Sequence, residues 1–238
     1  MIKRLKNKRI QEGKNFHVKR WAGIIAGILL ILYVFKPIHI IMLNFYNPEM
    51  TSMMRYRIKE KEGKALKINQ KWVPLSQISP NLIKAVIISE DAKFWTHNGF
   101  DIEGIKYAIK VNLKKGKFVR GGSTISQQVA KNLFLSPRKS ILRKLYEGIL
   151  TVEIETFLSK KRILEIYLNI VEWGEGIFGA EAASLYYFKK HASSLTVEEA
   201  LRLAAILPNP RKYSPLKSSS FLERRLEKLR KEFYRNAQ

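Results

Sequence analysis

Residues 79–99 read SPNLIKAVIISEDAKFWTHNG and join an apolar helix to a polar loop. Ser79 followed by Pro80 is typical of a helix start, because serine caps free amides and proline fits the first turn. Apolar residues then recur at helical spacing up to Glu90, which predicts a core helix. A carboxylate at the end of such a helix suits general acid or base chemistry, whereas an ordinary solvated acid is the simpler interpretation of Glu90 alone.

A glycine-rich turn, GGSTISQQ at residues 121–128, precedes a second predicted helix. Thr124 and Gln127 fit a capping box, which predicts a helix to about Leu135. Glycines before a helix leave backbone amides accessible to an anion or a sugar phosphate. The turn is not a P-loop, because the Walker spacing and its Lys-Ser/Thr ending are missing. Gln127 and Gln128 add amides suited to glycan hydroxyls, although a flexible turn is the alternative interpretation.

A third motif, RKLYE at residues 143–147, falls in a long helix predicted over roughly 137–158. Arg143 and Lys144 precede Glu147 by four and three residues, so the three side chains share one helix face. One interpretation is a cationic pocket for a diphosphate with an ionised carboxylate held inside it. The other is a surface ion pair that contributes about 0.5 kcal/mol.

The remaining pattern is also helical. Further helices are predicted over 160–170, over 200–207 behind a Thr196/Glu199 capping box, and in a basic C-terminal segment headed by Ser220 and Glu223. Residues 104–118 alternate apolar side chains with lysines, which suits either a membrane surface or an ordinary exposed helix. Few two-residue alternations occur, so the fold class is predicted to be mainly α.

The composition narrows the class of protein. The 238 residues carry 44 Lys+Arg against 20 Asp+Glu, a formal net charge of +24. Such an excess favours an anionic partner, which could be nucleic acid, anionic lipid or a phosphorylated substrate. Cysteine is absent, which excludes disulfides, thiolate chemistry and cysteine-ligated zinc.

A basic tail followed by an apolar stretch predicts a membrane anchor. Residues 21–35 carry no charge, Lys36 and Pro37 interrupt the run, and the full stretch 21–43 is long enough because about 20 residues span a bilayer. A single uncleaved transmembrane helix is favoured over a cleaved signal peptide or a core helix, with the N-terminus in the cytoplasm. The predicted organisation is a basic tail at 1–20, the anchor at 21–43, a membrane-proximal linker at 44–70 and one folded domain at 71–238. An exported domain argues against nucleic acid as a partner.

Together these segments resemble the peptidoglycan glycosyltransferase family, which comprises the transglycosylase domain of class A penicillin-binding proteins and its monofunctional relatives. The matching segments stand in the family's order, at residues 90–99, 121–128, 143–147, 160–169 and 204–215. Ser126 replaces the family's usual threonine and keeps the hydroxyl. Since no transpeptidase domain follows, the monofunctional biosynthetic type is expected.

The resemblance implies a lysozyme-like helical glycosyltransferase domain with a smaller membrane-dipping lobe, to which residues 104–118 would belong. It implies an inverting enzyme that polymerises lipid II into β-1,4-linked glycan strands and releases undecaprenyl diphosphate for bacterial cell-wall synthesis. The expected location is the bacterial cytoplasmic (inner) membrane, with the catalytic domain on the periplasmic or outer side. The expected partners are lipid II, a lipid-linked glycan chain, membrane lipids and other cell-wall synthesis or division proteins.

The resemblance also implies roles for particular residues. Glu90 is the expected general base, and Glu147 is expected to organise the diphosphate with Arg143 and Lys144. No organic cofactor is expected; a divalent cation, Mg²⁺ or Mn²⁺, is an optional addition with Glu147 as its candidate ligand. Glu165 and Asn169 are expected to support the fold or line the cleft. The predicted substrate-binding residues are Lys93, Phe94, His97, Gly122, Ser123, Thr124, Gln127, Gln128, Lys131, Asn132, Arg143 and Lys144.

Two other functions fit parts of the pattern. A muramidase would also combine a helical lysozyme-like fold with an essential glutamate. The Arg143–Lys144 pair argues against it, because a hydrolase releases no diphosphate. A non-catalytic scaffold for wall-synthesis enzymes is the second alternative, and the presence of both Glu90 and Glu147 argues against that one.

Overall fold

The computed structural model describes residues 21, 38–61, 65–117, 121–138 and 140–235. Most of the predicted tail and anchor therefore lies outside the described residues. In the described part, no helix combines the length and apolar character that a membrane crossing needs. The chain divides into two compact units, Met1–Met42 and Leu43–Gln238. In the first unit, Ile38–Met42 forms a short helix, α1.

The second unit is mainly helical, as predicted. Its helices and strands in chain order are α2 (Ser52–Glu60), β1 (Asn69–Gln70), α3 (Pro80–Glu90), α4 (Ile102–Lys115), α5 (Ile125–Phe134), α6 (Ile141–Phe157), α7 (Lys160–Ile170), β2 (Glu172–Gly174), β3 (Ile177–Phe178), α8 (Ala180–Phe188), α9 (Val197–Ile206) and α10 (Ser220–Arg235). Short 3-10 turns occupy Leu75–Gln77 and Ala192–Ser194.

Two helical groups build the core. Helix α3 packs against α9 and α10, and helix α5 packs against α6 and α7. The largest fully buried side chains include Tyr167, Trp173 and Phe178. The apolar face of α3 thus brings Glu90, its last residue, to the edge of the core.

Most helix starts follow the predicted caps. Thr124 and Thr196 form capping boxes, and Ser79 accepts a hydrogen bond from the Asn81 amide ahead of α3. Helix α6 begins at Ile141 rather than near residue 137, because the Ser140 hydroxyl accepts the Arg143 amide at 3.2 Å. The predicted cap of α10 is displaced by one residue, since the Ser219 hydroxyl accepts the Leu222 amide at 3.2 Å.

Part of the predicted linker at 44–70 forms regular secondary structure. Thr51 caps helix α2, and β1 pairs in parallel with β3. Met53 and Met54 are buried against Phe178. Because their sequence neighbours are charged, the burial of these two methionines is hard to predict from the sequence. Their burial attaches α2 to the domain.

A small three-stranded sheet, in the order β1-β3-β2, was not predicted because its strands are two or three residues long. Asn169 fixes the chain after β1, accepting from the Val73 amide and donating to the Val73 carbonyl at 2.9 Å each. Glu165 accepts the Leu75 amide at 2.8 Å. The expectation that Glu165 and Asn169 support the fold is therefore confirmed.

Candidate active site

Glu90 ends helix α3 with its carboxylate held on both oxygens. The Gln128 amide donates to Oε2 at 3.0 Å, and the Ser89 hydroxyl lies 3.1 Å from Oε1. The side chain keeps 13% of its surface exposed, so solvent or a ligand can reach it. An oriented but accessible carboxylate is what a general base requires.

The orientation of Gln128 is itself fixed from the core. The Tyr167 hydroxyl donates to the Gln128 side-chain carbonyl at 3.2 Å, so the amide nitrogen faces Glu90. Burial, followed by the charges of Glu90 and Asp91, raises the pKa of Tyr167 well above its usual value. Tyr167 therefore keeps its proton and remains a donor.

Asp91 clamps the loop that follows Glu90 onto the start of α5. Its buried carboxylate accepts the Ile125 amide at 2.9 Å and lies 2.9 and 3.0 Å from Nε2 of His97. The Gly99 amide donates to Nδ1 of His97 at 3.0 Å, which places the imidazole proton on Nε2. The Thr124 hydroxyl donates to the Gly99 carbonyl at 2.6 Å and closes the clamp.

Burial is also the largest influence on the pKa of Asp91. Desolvation raises the pKa of Asp91, although the Ile125 amide and His97 act in the opposite direction. The carboxylate thus depends on these fixed donors to remain ionised inside the fold.

Glu147 is buried between two cations at the start of α6. Arg143 donates to Oε2 at 2.7 Å, Lys144 is ion-paired to Oε1, and the glutamate side chain is only 3% exposed. The ordinary surface pair considered from the sequence is excluded by this burial. Nζ of Lys144 also lies 3.4 Å from the Ser123 hydroxyl, which joins the second and third motifs in space.

Lys131 connects the two carboxylates electrostatically. It projects from α5 and interacts with Glu147 and Glu90 as well as with the cations Arg143 and Lys144. Burial is the largest influence and lowers the pKa of Lys131. A partly desolvated ammonium of this kind gains most when an anion arrives beside it.

Other predicted substrate-binding residues have structural partners instead. The ring of Phe94 has no exposed surface and packs edge-to-face on Trp95 and His97, so direct substrate contact by Phe94 is not supported. The Thr124 and Gln127 side chains are buried in their capping box. His97 is turned towards Asp91.

The remaining predicted residues differ in exposure. Lys93 is exposed and ion-paired to Glu103, while Asn132 is buried on α5. A Cβ at Gly122 would lie 3.1 Å from the Cα atom of Ile105, so glycine permits the close approach of the turn to α4.

Two residues of this site were not predicted from the sequence. Asp91 lies inside the first motif, where its position beside Glu90 was the available signal. Arg225 reaches Glu90 from α10, with its NH2 group 3.4 Å from Oε1. No local pattern marks Arg225, because 135 positions separate it from Glu90.

A divalent cation with Glu147 as its ligand stays a prediction. In the described ranges, no group of three or more His, Asp or Glu side chains could hold a metal ion. Both oxygens of Glu147 already face cationic side chains. No step proposed below uses a metal.

Two helices beside the cationic pocket expose apolar faces. On α6 the exposed residues are Ile141, Leu142, Leu145, Ile149 and Val152; on α4 they are Ile102, Tyr107, Ile109 and Leu113. The exposed fraction reaches 81% at Ile141 and 77% at Leu113. Exposed apolar side chains on neighbouring turns of a helix are typical of surfaces that bind protein or membrane.

Comparison with known proteins yields consistent matches. Residues 59–233 match the protein-family model described as Transglycosylase. The chain is 50% identical over 207 residues to the biosynthetic peptidoglycan transglycosylase of Chromobacterium violaceum, covering 86% of this chain and 90% of that protein. It is 46% identical over 212 residues to the protein of the same name from Dechloromonas aromatica, covering 87% and 92%. The corresponding protein of Azoarcus sp. is 51% identical over 201 residues, covering 82% and 87%.

Proposed function

Because the chain belongs to the transglycosylase family, we propose that it polymerises lipid II into β-1,4-linked glycan strands with release of undecaprenyl diphosphate. The chain is a peptidoglycan transglycosylase of cell-wall synthesis. The observation that carries the finer mechanism is the burial of Glu147 between Arg143 and Lys144, with Lys144 3.4 Å from the Ser123 hydroxyl in the turn that leads into α5, the helix whose Gln128 contacts Glu90. These contacts support a site that combines a base with a cationic pocket.

Glu90 acts as the general base. The sugar 4-hydroxyl of the acceptor attacks the anomeric carbon of the donor, and Glu90 takes the hydroxyl proton as the new bond forms. Attack opposite the leaving group inverts the α-linked donor to a β linkage. Gln128 and Ser89 hold the carboxylate in position without neutralising it.

The cations stabilise the departing diphosphate. Arg143, Lys144 and Lys131 provide three positive charges around the single carboxylate of Glu147. Negative charge builds up on the diphosphate as the glycosidic bond breaks, and preorganised cations stabilise it without rearrangement. Glu147 holds the two α6 cations in place before the substrate arrives.

The same arrangement supports a membrane location. Lipid-linked substrates lie at a bilayer, where confinement reduces the search for a productive orientation. The apolar faces of α4 and α6 would rest on the membrane, with the pocket facing the headgroups. We extend this proposal to the predicted anchor at 21–43, a cytoplasmic (inner) membrane location and a lysozyme-like domain. Protein partners in wall synthesis or division stay a prediction.

Polymerisation of labelled lipid II in detergent tests the proposal. Wild type is expected to form polymer that a muramidase digests, and Glu90→Gln is expected to lose at least 100-fold in rate, the scale of general-base catalysis. Glu175→Gln is the matched control, because Glu175 is an exposed glutamate paired to Lys61. Folded wild type that forms no polymer, or that releases fragments from intact sacculi instead, would contradict the proposal.

A further inference from the structure

Arg225 of α10 contacts the carboxylate assigned above as the general base. We propose that Arg225 is a positioning residue for Glu90, an inference that rests on the proposed function. Its NH2 group donates to the Ser89 hydroxyl at 2.8 Å and lies 3.4 Å from Oε1 of Glu90. The Arg225 side chain is 27% exposed, so the contact is shielded from most of the solvent.

The Ser89 hydroxyl gives Arg225 a second route to Glu90. Ser89 has a single hydroxyl proton but two acceptors within reach, Glu90 Oε1 at 3.1 Å and the Ala204 carbonyl at 3.2 Å. Arg225 donates to the serine oxygen and leaves that proton for one of the two acceptors. A cation beside the hydroxyl strengthens its donation, so Arg225 supports Glu90 both directly and through Ser89.

The two oxygens of Glu90 are consequently held from different sides of the fold. Gln128 of α5 holds Oε2, whereas Arg225 of α10 and Ser89 hold Oε1. A carboxylate gripped at only one oxygen can rotate about its side-chain torsions. Gripping both oxygens restricts the carboxylate to one orientation towards the acceptor hydroxyl.

Anchoring of α10 does not depend on Arg225. Four buried side chains, Leu222, Leu226, Leu229 and Phe233, attach the helix to the domain. Arg230 adds a two-point ion pair to Glu198 of α9, at 3.0 and 2.6 Å. Arg230 is therefore the matched control for Arg225, because it is an arginine of the same helix whose contacts only support the structure.

The test compares full-length variants in the lipid II polymerisation assay. Arg225→Gln is expected to lower kcat about tenfold while KM for lipid II stays within twofold, because Glu90 acts on the reacting hydroxyl rather than on substrate affinity. Arg225→Lys should recover at least a third of the lost kcat, since an ammonium can replace one of the two contacts. Arg230→Gln should leave kcat unchanged.

A second variant keeps the test decisive if Arg225→Gln folds poorly. Ser89→Ala removes the hydroxyl route while Arg225 remains, and we expect a threefold loss of kcat. The double variant should lose less kcat than the product of the two single losses, because both residues act on the same oxygen. Independent, multiplying losses would overturn the shared route.

The outcomes separate this inference from the proposed function. Active wild type with Arg225→Gln within twofold in kcat would overturn the positioning role and leave the transglycosylase intact. Equal losses of kcat and thermal stability in Arg225→Gln and Arg230→Gln would reduce Arg225 to a helix anchor. Inactive wild type would instead count against the proposed function itself.

Discussion

Replacing Asp91 tests the clamp that holds the loop after Glu90. In Asp91→Ala, the amide of fully buried Ile125 loses its acceptor, at a cost of about 1–3 kcal/mol. The lost bond from His97 adds about 1 kcal/mol. Part of this loss in the free energy of unfolding is offset, because burial of the Asp91 carboxylate, which raises its pKa, is itself unfavourable. We expect a net loss of about 2–3 kcal/mol, or roughly 5–10 °C in the thermal midpoint.

The amide isostere should lie between wild type and alanine. In Asp91→Asn, the side-chain carbonyl can still accept the Ile125 amide, but its NH2 group then faces the Nε2 proton of His97. Moving that proton to Nδ1 would set it against the Gly99 amide, so one hydrogen bond is lost with either tautomer. The expected cost is about 1 kcal/mol.

Urea unfolding of the full chain in detergent, followed by circular dichroism, measures both variants. Equal m-values would show that the variants differ in stability rather than in compactness. The rate of lipid II polymerisation should fall in both variants. The hydrogen bonds of Asp91 hold the loop after Glu90 against the start of α5, and the variants weaken them. An Asp91→Ala protein within about 0.5 kcal/mol of wild type, or an Asn variant as unstable as the Ala variant, would refute this reasoning.

Two further predictions concern the cationic pocket. Lys131→Met should abolish detectable polymerisation yet raise the thermal midpoint at pH 7.5, because burial lowers the pKa of Lys131 and its charged form therefore costs stability in the fold. The increase in thermal midpoint should be complete below the pKa of Lys131 in the folded protein and should vanish as the pH rises towards 10.5. Thermal melts measured across that pH range test this dependence. Ser140→Ala should cost about 1 kcal/mol and raise KM for lipid II, because the cap precedes Arg143 and Lys144. Ser159→Ala removes the corresponding cap of α7, so an equal rise in KM there would contradict the link to the pocket.

Helices and their caps could be predicted because their signals are local. Thr124 and Gln127 stand three residues apart, and the capping box they predict is the one observed. The start of α6 was misplaced because Pro137 fits the first turn of a helix as well as the preceding loop does. Ser140 decides the boundary, yet a serine three residues before an RKLYE motif is an inconspicuous signal.

Contacts between distant segments could not be predicted in the same way. The hydrogen bond from the Ile125 amide to Asp91 spans 34 positions, and the contact from Arg225 to Glu90 spans 135. Burial of Met53 and Met54 depends on where Phe178 lies in the fold, which the charged surroundings of α2 do not indicate. Such contacts arise when whole helices pack together. A contact between two particular residues that are far apart in the chain produces no periodic pattern in the sequence.

The surroundings of the two glutamates account for their different roles. Each oxygen of Glu147 is paired with a cation, and 3% exposure leaves little room for a hydroxyl to approach. Glu90 accepts a hydrogen bond from the neutral side chain of Gln128 at one oxygen, has Arg225 3.4 Å from the other oxygen, and retains 13% exposure. A general base must reach the proton it removes, whereas an organiser of cations need only stay buried between them. Exchange of the two roles would require Glu147 to release Arg143 or Lys144, and thereby to dismantle the pocket that the leaving diphosphate needs.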